Sequence, residues 1–150
     1  MISIVNGDLL DASEVMIVHQ VNCKGVMGSG VAKSIKDKYP KAYHSYKKHC
    51  DISGSSLLGK IQVINICNER KVVNMFAQDN YGRDKQYTDL KAFKTCILKL
   101  VDYAKKNNIK EIAMPYKIGC GRGGANWDSV YSILCNSFNR SNVKLTLYSL

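Results

Sequence analysis

The sequence predicts an α/β fold in which a mixed, mostly parallel sheet of six strands is covered by helices on both faces. Six short apolar runs, each bounded by polar or glycine-containing turns, are typical of strands. Helical patterns lie between these runs, and such alternation favours parallel pairing and a sheet that is buried on both sides. Two glycine-rich segments also follow strand-like runs and lead into helical patterns, which places them at the ends of strands.

The strand predictions depend on apolar runs that end at turn residues. In chain order, these runs cover residues 2–5, 15–21, 60–66, 72–77, 109–115 and 143–148. The polar stretch 78–86 has no periodicity and therefore predicts a loop after the fourth strand. Because loops at the carboxyl ends of strands often carry function, this loop is a candidate part of the site.

Helical periodicity fills the gaps between the strands. The predicted helices cover residues 30–39, 41–51, 87–106 and 126–139. In the third helix, apolar residues recur at three- and four-residue spacing, which places them on one helix face. These residues are Leu90, Phe93, Ile97, Leu100, Val101 and Ala104. A similar stripe in the fourth helix consists of Trp127, Val130, Leu134 and Phe138.

The size of the chain predicts one domain over residues 1–150. A hydrophobic content of 45% provides enough apolar material for a single core. Residues 1–5 begin directly in strand-like sequence without a leader pattern, and no apolar run approaches the roughly 20 residues that cross a bilayer. We therefore expect a cytoplasmic protein that has no membrane partner.

The cysteines and histidines do not form a metal-binding pattern. Six cysteines are scattered without a Cys-x-x-Cys pair, and several fall in patterns that predict burial, so they are interpreted as reduced structural thiols. His44 and His49 stand near Cys50, but no second ligand pair at zinc spacing exists in the chain. We expect neither a metal nor another cofactor.

The net charge of +10 favours polyanionic or phosphorylated partners. Lysines between positions 33 and 48 are interleaved with Tyr39, Tyr43 and Tyr46, a mixture that can hold a nucleic acid by phosphate contacts and stacking. A solvated helix face with partly buried tyrosines explains the same residues. No recognised nucleic-acid motif accompanies these residues. Nucleic acid therefore remains an alternative partner that no binding motif supports.

The first glycine loop (residues 27–31) and the second glycine loop (residues 118–124) together predict a phosphate-binding pocket. Glycines let the backbone approach a ligand closely, and a helix N-terminus offers unpaired N–H groups. Gly119, Gly121 and Gly124 satisfy G-x-G-x-x-G, but no acidic residue follows about 20 positions later, as a dinucleotide site requires. Neither loop ends in the Gly-Lys-Ser/Thr of a P-loop. A tight turn is the alternative explanation for either loop alone.

A series of motifs carries a more specific resemblance over essentially the whole chain. In order, they are Asn6-Gly7-Asp8-Leu9, Val18-His19-Gln20-Val21-Asn22-Cys23, Met27-Gly28-Ser29-Gly30-Val31-Ala32, Tyr39-Pro40, Met114-Pro115, Ile118-Gly119-Cys120-Gly121 and Trp127. This order resembles a macrodomain, in the branch of the terminal ADP-ribose protein glycohydrolase, its bacterial DNA-acting relatives and the yeast-type ADP-ribose 1″-phosphate phosphatase. The resemblance implies a three-layer α/β/α sandwich that binds ADP-ribose or a derivative.

By position, the resemblance also implies the ligand contacts. Asp8 and the amide of Leu9 would contact the adenine. The distal ribose and its neighbouring phosphate would lie against Asn22, Gly28, Ser29, Gly30 and Val31. The diphosphate would be wrapped by Gly119, Cys120, Gly121, Arg122, Gly123 and Gly124. Carboxylate, amide and glycine N–H groups suit these roles, although Asp8 could instead cap a turn and Asn22 could instead stabilise a loop.

His19 and Asn22 are the candidate catalytic residues. His19 falls near the end of an apolar strand, at the mouth of the predicted cleft, and an ordinary histidine pKa of about 6.5 suits acid–base chemistry near neutral pH. A hydrogen-bonded structural histidine is the alternative. The resemblance implies that His19 orients or activates water, or protonates a leaving oxygen, while a terminal phosphate is removed from ADP-ribose 1″-phosphate.

The sequence departs from the glycohydrolase pattern of the same branch. Those relatives use a lysine in the loop that corresponds to residues 78–80 and an aspartate where this chain has Gly123. Lys85 could replace the lysine, and the candidate carboxylates are Asp79, Asp84 and Asp128. Phosphatase activity is therefore the leading expectation. An ADP-ribosyl hydrolase or O-acetyl-ADP-ribose deacetylase, and a non-catalytic ADP-ribose-binding module, remain the competing hypotheses.

Overall fold

A six-stranded sheet forms the centre of the computed structural model, which describes residues 1–150. The strands are β1 (Ile2–Asn6), β2 (Met16–Val21), β3 (Ile61–Cys67), β4 (Arg70–Phe76), β5 (Glu111–Pro115) and β6 (Lys144–Ser149). They lie side by side in the order β1, β6, β5, β2, β4, β3. Every neighbouring pair is parallel except the edge hairpin of β3 and β4. The predicted mixed, mostly parallel sheet is confirmed.

Four helices connect the strands, and local sequence explains several of their ends. They are α1 (Gly30–Lys38), α2 (Pro40–Ser53), α3 (Leu90–Lys106) and α4 (Trp127–Phe138). The side chains of Asp89 and Asn126 cap α3 and α4 by accepting hydrogen bonds from backbone N–H groups of the first turn. Pro40 occupies the first turn of α2, where no intrahelical bond requires its N–H. None of the helices combines the length and the apolar composition that a membrane span requires.

The helices cover the sheet on both faces. Because side chains alternate along a strand, Met16 and Val18 of β2 join the core beneath α3 and α4. Ile17 points to the other face, where it packs with Ile35 of α1 and Ala42 of α2. The three-layer α/β/α architecture that the sequence resemblance implied is confirmed.

Strands β2 and β5 are neighbours only where they begin. Met16 pairs with Ile112 and Ile17 pairs with Ala113, and the two strands then diverge. The chain continues from β2 towards one edge of the sheet and from β5 towards the other, which makes this position a topological switch point. Ligands of such sheets bind in the crevice beyond the carboxyl ends of the strands.

Element boundaries differ from the predictions by up to three residues. Helix α3 begins at Leu90 instead of residue 87 because Thr88 forms a β-bridge with Gln78 and Asp89 caps the helix. Strand β5 begins at Glu111 instead of residue 109, after Asn108 takes a positive φ of 56°. Strand β4 begins at residue 70, before the predicted 72, because only a short turn separates it from β3.

Candidate functional site

A cleft of about 920 Å³ opens where β2 and β5 diverge. Residues of both glycine loops line it, and so do His19 and Asn22. The loop after β4 contributes Gln78, Tyr81 and Gly82. The cleft has the size of a site for a small-molecule ligand. The structure therefore brings together most of the residues that sequence reasoning assigned to one pocket, while Asp8, Leu9 and Gly124 lie outside this cleft.

A hollow of about 490 Å³ continues the cleft past α1. The two cavities share Gly30, Val31, Pro115 and Tyr116. The hollow is also lined by Asp8 and Leu9, the residues that the resemblance assigned to the adenine. Asp8 accepts a hydrogen bond from the backbone N–H of Leu10 at 2.9 Å. Asp8 thus caps the short turn after β1 and also lines the hollow, so the two interpretations of this residue are compatible.

Asn22 anchors residues 24–26, the turn that leads into the first glycine loop. Its Oδ1 accepts hydrogen bonds from the backbone N–H of Lys24 at 2.9 Å and from the Tyr46 hydroxyl at 2.7 Å. Its Nδ2 donates to the carbonyl of Val26 at 2.8 Å. Tyr46 is fully buried in α2, so these bonds tie the turn before the loop to the helical layer. Asn22 is a loop stabiliser that also lines the cleft, with one amide hydrogen free of protein partners.

Helix α1 begins in the first glycine loop with an uncapped N-terminus. Ser29 occupies the N-cap position, but its side chain makes no capping hydrogen bond, unlike Asp89 of α3 and Asn126 of α4. Ser29, Gly30 and Val31 all line the cleft. The unpaired N–H groups of the first turn and the positive end of the helix dipole therefore lie at the cleft, where such a terminus binds anions.

The second glycine loop is held by the segment that precedes α3. The backbone N–H groups of Tyr87 and Thr88 both donate to the carbonyl of Gly123 at 2.9 Å. The Thr88 hydroxyl donates to the carbonyl of Gly119 at 2.8 Å and accepts from Nε2 of Gln20 at 2.7 Å. Strand β2 and the start of α3 thus fix the position of this loop.

The glycines of the second loop have different surroundings. A Cβ at Gly123 would lie 2.5 Å from the carbonyl oxygen of Gly119 and closer still to the Thr88 hydroxyl oxygen. A Cβ at Gly121 would meet no atom within 4 Å. Gly124 has a φ of 73° and packs against Gln86, and it lines neither the cleft nor the hollow. Gly123 is therefore required for packing, whereas Gly121 is open to the cleft.

His19 lies on the floor of the cleft and is only 1% exposed. Its Nε2 is 2.6 Å from Oδ1 of Asn74, and its Nδ1 has no hydrogen-bond partner. Burial lowers the pKa of the imidazole to about 4, with the Asn74 hydrogen bond acting in the opposite direction. The ring is therefore neutral at neutral pH. Of the expected roles, orienting water fits this state better than protonating a leaving oxygen.

Two cationic side chains line the cleft, Lys117 and Arg122, and neither forms an ion pair within the protein. No aspartate or glutamate lines it. An unopposed positive charge in a cleft attracts phosphate groups. No cluster of histidine, cysteine, aspartate and glutamate side chains is arranged to hold a metal ion.

The residues considered as substitutes for the glycohydrolase lysine and aspartate lie outside the cleft. The Nζ of Lys85 is 5.3 Å from the ring centre of Tyr87, and Asp84 accepts a hydrogen bond from the Tyr87 hydroxyl at 2.6 Å. Asp79 accepts one from a serine hydroxyl at 2.6 Å. Asp128 is in the first turn of α4. Each of these side chains is thus explained by its local surroundings outside the cleft.

The lysine-rich surface of α1 and α2 is engaged in local contacts. Lys33 and Lys47 form ion pairs with aspartates one helical turn ahead. Lys38 and Lys41 donate hydrogen bonds to backbone carbonyls, and the Nζ of Lys36 lies 4.2 Å from the centre of a tyrosine ring. These contacts agree with the interpretation of this surface as a solvated helix face.

Sequence reasoning missed three polar residues that organise the site: Gln20, Asn74 and Thr88. Alternation along β2 places Gln20 on the face opposite His19, which was readable once the strand was assigned. A lone polar residue in the apolar run of β4 was the only signal for Asn74. Thr88 gave no local signal, because Gln20 and Gly119, its partners, are 68 and 31 residues away.

Known proteins and one family model match the sequence of this chain. The family model described as Macro domain matches residues 18–134. The chain is 29% identical over 143 residues to the DNA ADP-ribosyl glycohydrolase of Mycobacterium tuberculosis, an alignment that covers 93% of this chain and 39% of that protein. It is 47% identical over 47 residues to the ADP-ribose 1″-phosphate phosphatase of Aspergillus oryzae, covering 31% of this chain and 23% of that protein.

The chain spans about two fifths of the length of the mycobacterial relative. Among solved structures, the macrodomain of Mycobacterium tuberculosis DarG matches with a TM-score of 0.86 and 29% identity, covering 99% of this chain and 97% of that structure. The family model accounts for more than three quarters of the residues, and the fold agrees with it. The chain therefore belongs to the macro domain family.

Proposed function

We propose that the cleft binds ADP-ribose and that the protein is a hydrolase that removes the terminal phosphate of ADP-ribose 1″-phosphate. The observation that carries this proposal is the composition of the cleft. Two glycine loops, an uncapped helix N-terminus, Lys117 and Arg122 line it, and no carboxylate does. Such a surface suits a ligand with several phosphate groups.

In this proposal, the diphosphate lies between the two glycine loops and the terminal phosphate lies near the N-terminus of α1. Water attacks the phosphorus atom, the bond from phosphorus to the 1″ oxygen breaks, and the leaving oxygen takes up the proton that the attacking water loses, by exchange with solvent. The products are inorganic phosphate and ADP-ribose. Neutral His19 orients the attacking water through a ring nitrogen, and Asn22 holds the first loop around the phosphate. Positioning and fixed dipoles supply the stabilisation, as is usual for phosphoryl transfer.

A second candidate function is removal of ADP-ribose from a modified macromolecule. It is favoured by the match to a relative named DNA ADP-ribosyl glycohydrolase along 93% of this chain. The absence of an acidic side chain in the cleft counts against it, because cleavage of glycosidic bonds usually uses carboxylates as acid and nucleophile or base. A cleft of this composition is also compatible with an O-acetyl-ADP-ribose deacetylase and with a binding module that has no activity.

A phosphorus NMR time course with ADP-ribose 1″-phosphate tests the proposal. We expect inorganic phosphate to form together with ADP-ribose, and we expect His19→Ala to reduce turnover by at least about 100-fold. Thr146→Val is a suitable control because Thr146 is buried in β6 and lines neither the cleft nor the hollow. Shifted diphosphate signals without phosphate release would contradict the phosphatase and support a binding module.

The same preparation tests the second candidate with ADP-ribosylated DNA. Release of ADP-ribose from the DNA, without phosphate release from ADP-ribose 1″-phosphate, would replace the proposed reaction with glycohydrolysis. If DNA itself contributes to binding, the affinity should fall steeply as salt is added, because phosphate contacts release counterions. A flat response to salt would restrict recognition to the ADP-ribosyl group.

A further inference from the structure

A row of polar side chains crosses three strands beneath α2. His19 on β2 is in register with Asn74 on β4, which is in register with Gln62 on β3. Asn74 is completely buried and His19 is nearly so. Burying polar groups is unfavourable unless they are hydrogen-bonded. The polar atoms of this row therefore need hydrogen-bond partners within the apolar layer.

The hydrogen bonds of this row run in one direction. Nε2 of Gln62 donates to the carbonyl of Ser45 at 3.2 Å, which leaves Oε1 of Gln62 as an acceptor. Nδ2 of Asn74 donates to that Oε1 at 3.1 Å and to the carbonyl of Ala42 at 3.4 Å. The reverse amide orientation would place the oxygen of Asn74 against two acceptors. Oδ1 of Asn74 therefore faces His19.

This direction determines the state of the imidazole. Since Oδ1 of Asn74 can only accept, Nε2 of His19 must carry the hydrogen in their 2.6 Å contact. In the neutral ring, the other nitrogen is then a bare acceptor. That nitrogen, Nδ1, is buried and has no partner in the protein, while His19 lines the cleft. A group that satisfies it must be a donor, which excludes a fully ionised phosphate oxygen.

We propose that Asn74 is a positioning residue of the cleft, and that it holds His19 so that Nδ1 accepts a hydrogen bond from an O–H group of the bound ligand or of a water molecule trapped beside it. This inference rests on the proposed ADP-ribose site and names the chemistry that His19 recognises there. It assigns the floor of the cleft to a hydroxyl-bearing or hydrated part of the ligand, and the phosphates to the glycine loops.

Nitrogen NMR of the histidine ring in the wild-type protein is the primary test. Protonated and bare ring nitrogens resonate far apart, so the spectrum reports the tautomer directly. We expect Nε2 to be protonated and Nδ1 to be bare in the free protein, and we expect saturating ADP-ribose to shift Nδ1 while Nε2 stays nearly unchanged. A shift with ADP-ribose but not with ADP assigns the donor to a hydroxyl of the distal ribose, which ADP lacks, whereas a shift with both assigns it to trapped water.

Variants of Asn74 separate positioning from simple packing. Asn74→Ala should give a mixture of the two tautomers and weaken ADP-ribose binding about three- to tenfold, the effect of one hydrogen bond. Asn74→Asp keeps an acceptor for Nε2 but adds a buried negative charge beside the ring, so it should draw a second proton onto Nδ1 and remove the bare acceptor. Thr146→Val should alter neither the ring spectrum nor the affinity.

Two results would overturn the inference: a free protein in which Nδ1 carries the hydrogen, or an Nδ1 signal that does not move when calorimetry shows that ADP-ribose is bound. If ADP-ribose does not bind at all, the proposed function and the ligand half of this inference both fail, while the free-protein spectrum still decides the role of Asn74. Should Asn74→Ala fail to fold, the wild-type spectra alone decide the outcome.

Discussion

The two walls of the cleft are built differently although both are glycine loops. The first loop follows a turn that Asn22 anchors, and it leaves the N-terminus of α1 uncapped. The second is held through its own carbonyls by Thr88 and the neighbouring N–H group, and it has no space for a Cβ at Gly123. The comparison shows that glycine serves two purposes here. At some positions the missing side chain leaves space for a ligand. At others it allows neighbouring protein atoms to pack closely against the backbone.

The largest expected effect is that of Gly123→Ala. Because the new methyl group would overlap the Gly119 carbonyl and the Thr88 hydroxyl, the second wall must move, and we expect the free energy of unfolding to fall by about 2–4 kcal/mol. Urea denaturation measures this. Gly121→Ala is the matched control and should lie within about 1 kcal/mol of wild type. Equal stability of the two variants would show that the second wall is not rigid.

Gly121→Glu should affect binding instead of folding. The position is open, so the side chain fits without displacing the protein, but it places a carboxylate beside the proposed diphosphate. We expect ADP-ribose affinity, measured by calorimetry, to fall by more than about 100-fold. Gly121→Gln separates charge from size and should lose less. An unchanged affinity in Gly121→Glu would refute the assignment of this loop to the diphosphate.

The pH dependence of the free energy of unfolding should report on His19, the titratable residue on the floor of the cleft. The pKa of His19 is about 4 in the folded protein, below its ordinary 6.5, so between these pH values the unfolded chain binds more protons. The contribution of neutral His19 is complete above pH 6.5 and is lost as the pH falls towards 4. We expect a loss of about 2–3 kcal/mol over this window.

The variant His19→Gln isolates the contribution of His19 to this pH dependence, because the other titrating groups are unchanged. The free energy of unfolding of the variant should depend less on pH between 6.5 and 4 than that of wild type. Parallel stability curves for the two proteins would show that His19 is not buried in neutral form.

The smallest effect is expected at Gly28 in the first wall. A Cβ there would make only an ordinary contact, 3.5 Å from a methyl group of Val26. Gly28→Ala should therefore change the free energy of unfolding by less than about 0.5 kcal/mol. Gly30→Ala is a sharper comparison, because Gly30 has a φ of 60° and should cost about 1 kcal/mol. A large loss of stability in Gly28→Ala would contradict the difference between the walls.

The layers, the mixed and mostly parallel sheet and the position of the cleft were predictable because they follow from apolar periodicity and from motifs that are contiguous in sequence, whereas the order of the strands was not predicted. The six strands and four helices were all anticipated, with shifts at their ends where a cap or a bridge competes with the periodic pattern. The glycine loops, His19 and Asn22 come together because β2 and β5 are adjacent, which is a property of the topology.

The state of the site was less predictable, since it depends on contacts between distant residues. His19 was expected at the mouth of the cleft with an ordinary pKa, and the structure buries it against Asn74, 55 residues away. The position of Gly123 against Thr88 likewise depends on how a loop docks. Local sequence identifies candidate residues, but burial and partners determine their protonation and their freedom to accept a side chain.

One strand supplies both sides of the cleft floor. His19 and Gln20 are consecutive on β2, so the pleat directs one towards Asn74 beneath α2 and the other towards Thr88 and the second loop. A slip of one residue in the pairing of β2 with β4 would exchange them, placing the imidazole among the carbonyls of the loop and the amide in the buried row. The register of a single parallel ladder thus decides which chemical group each half of the ligand would meet.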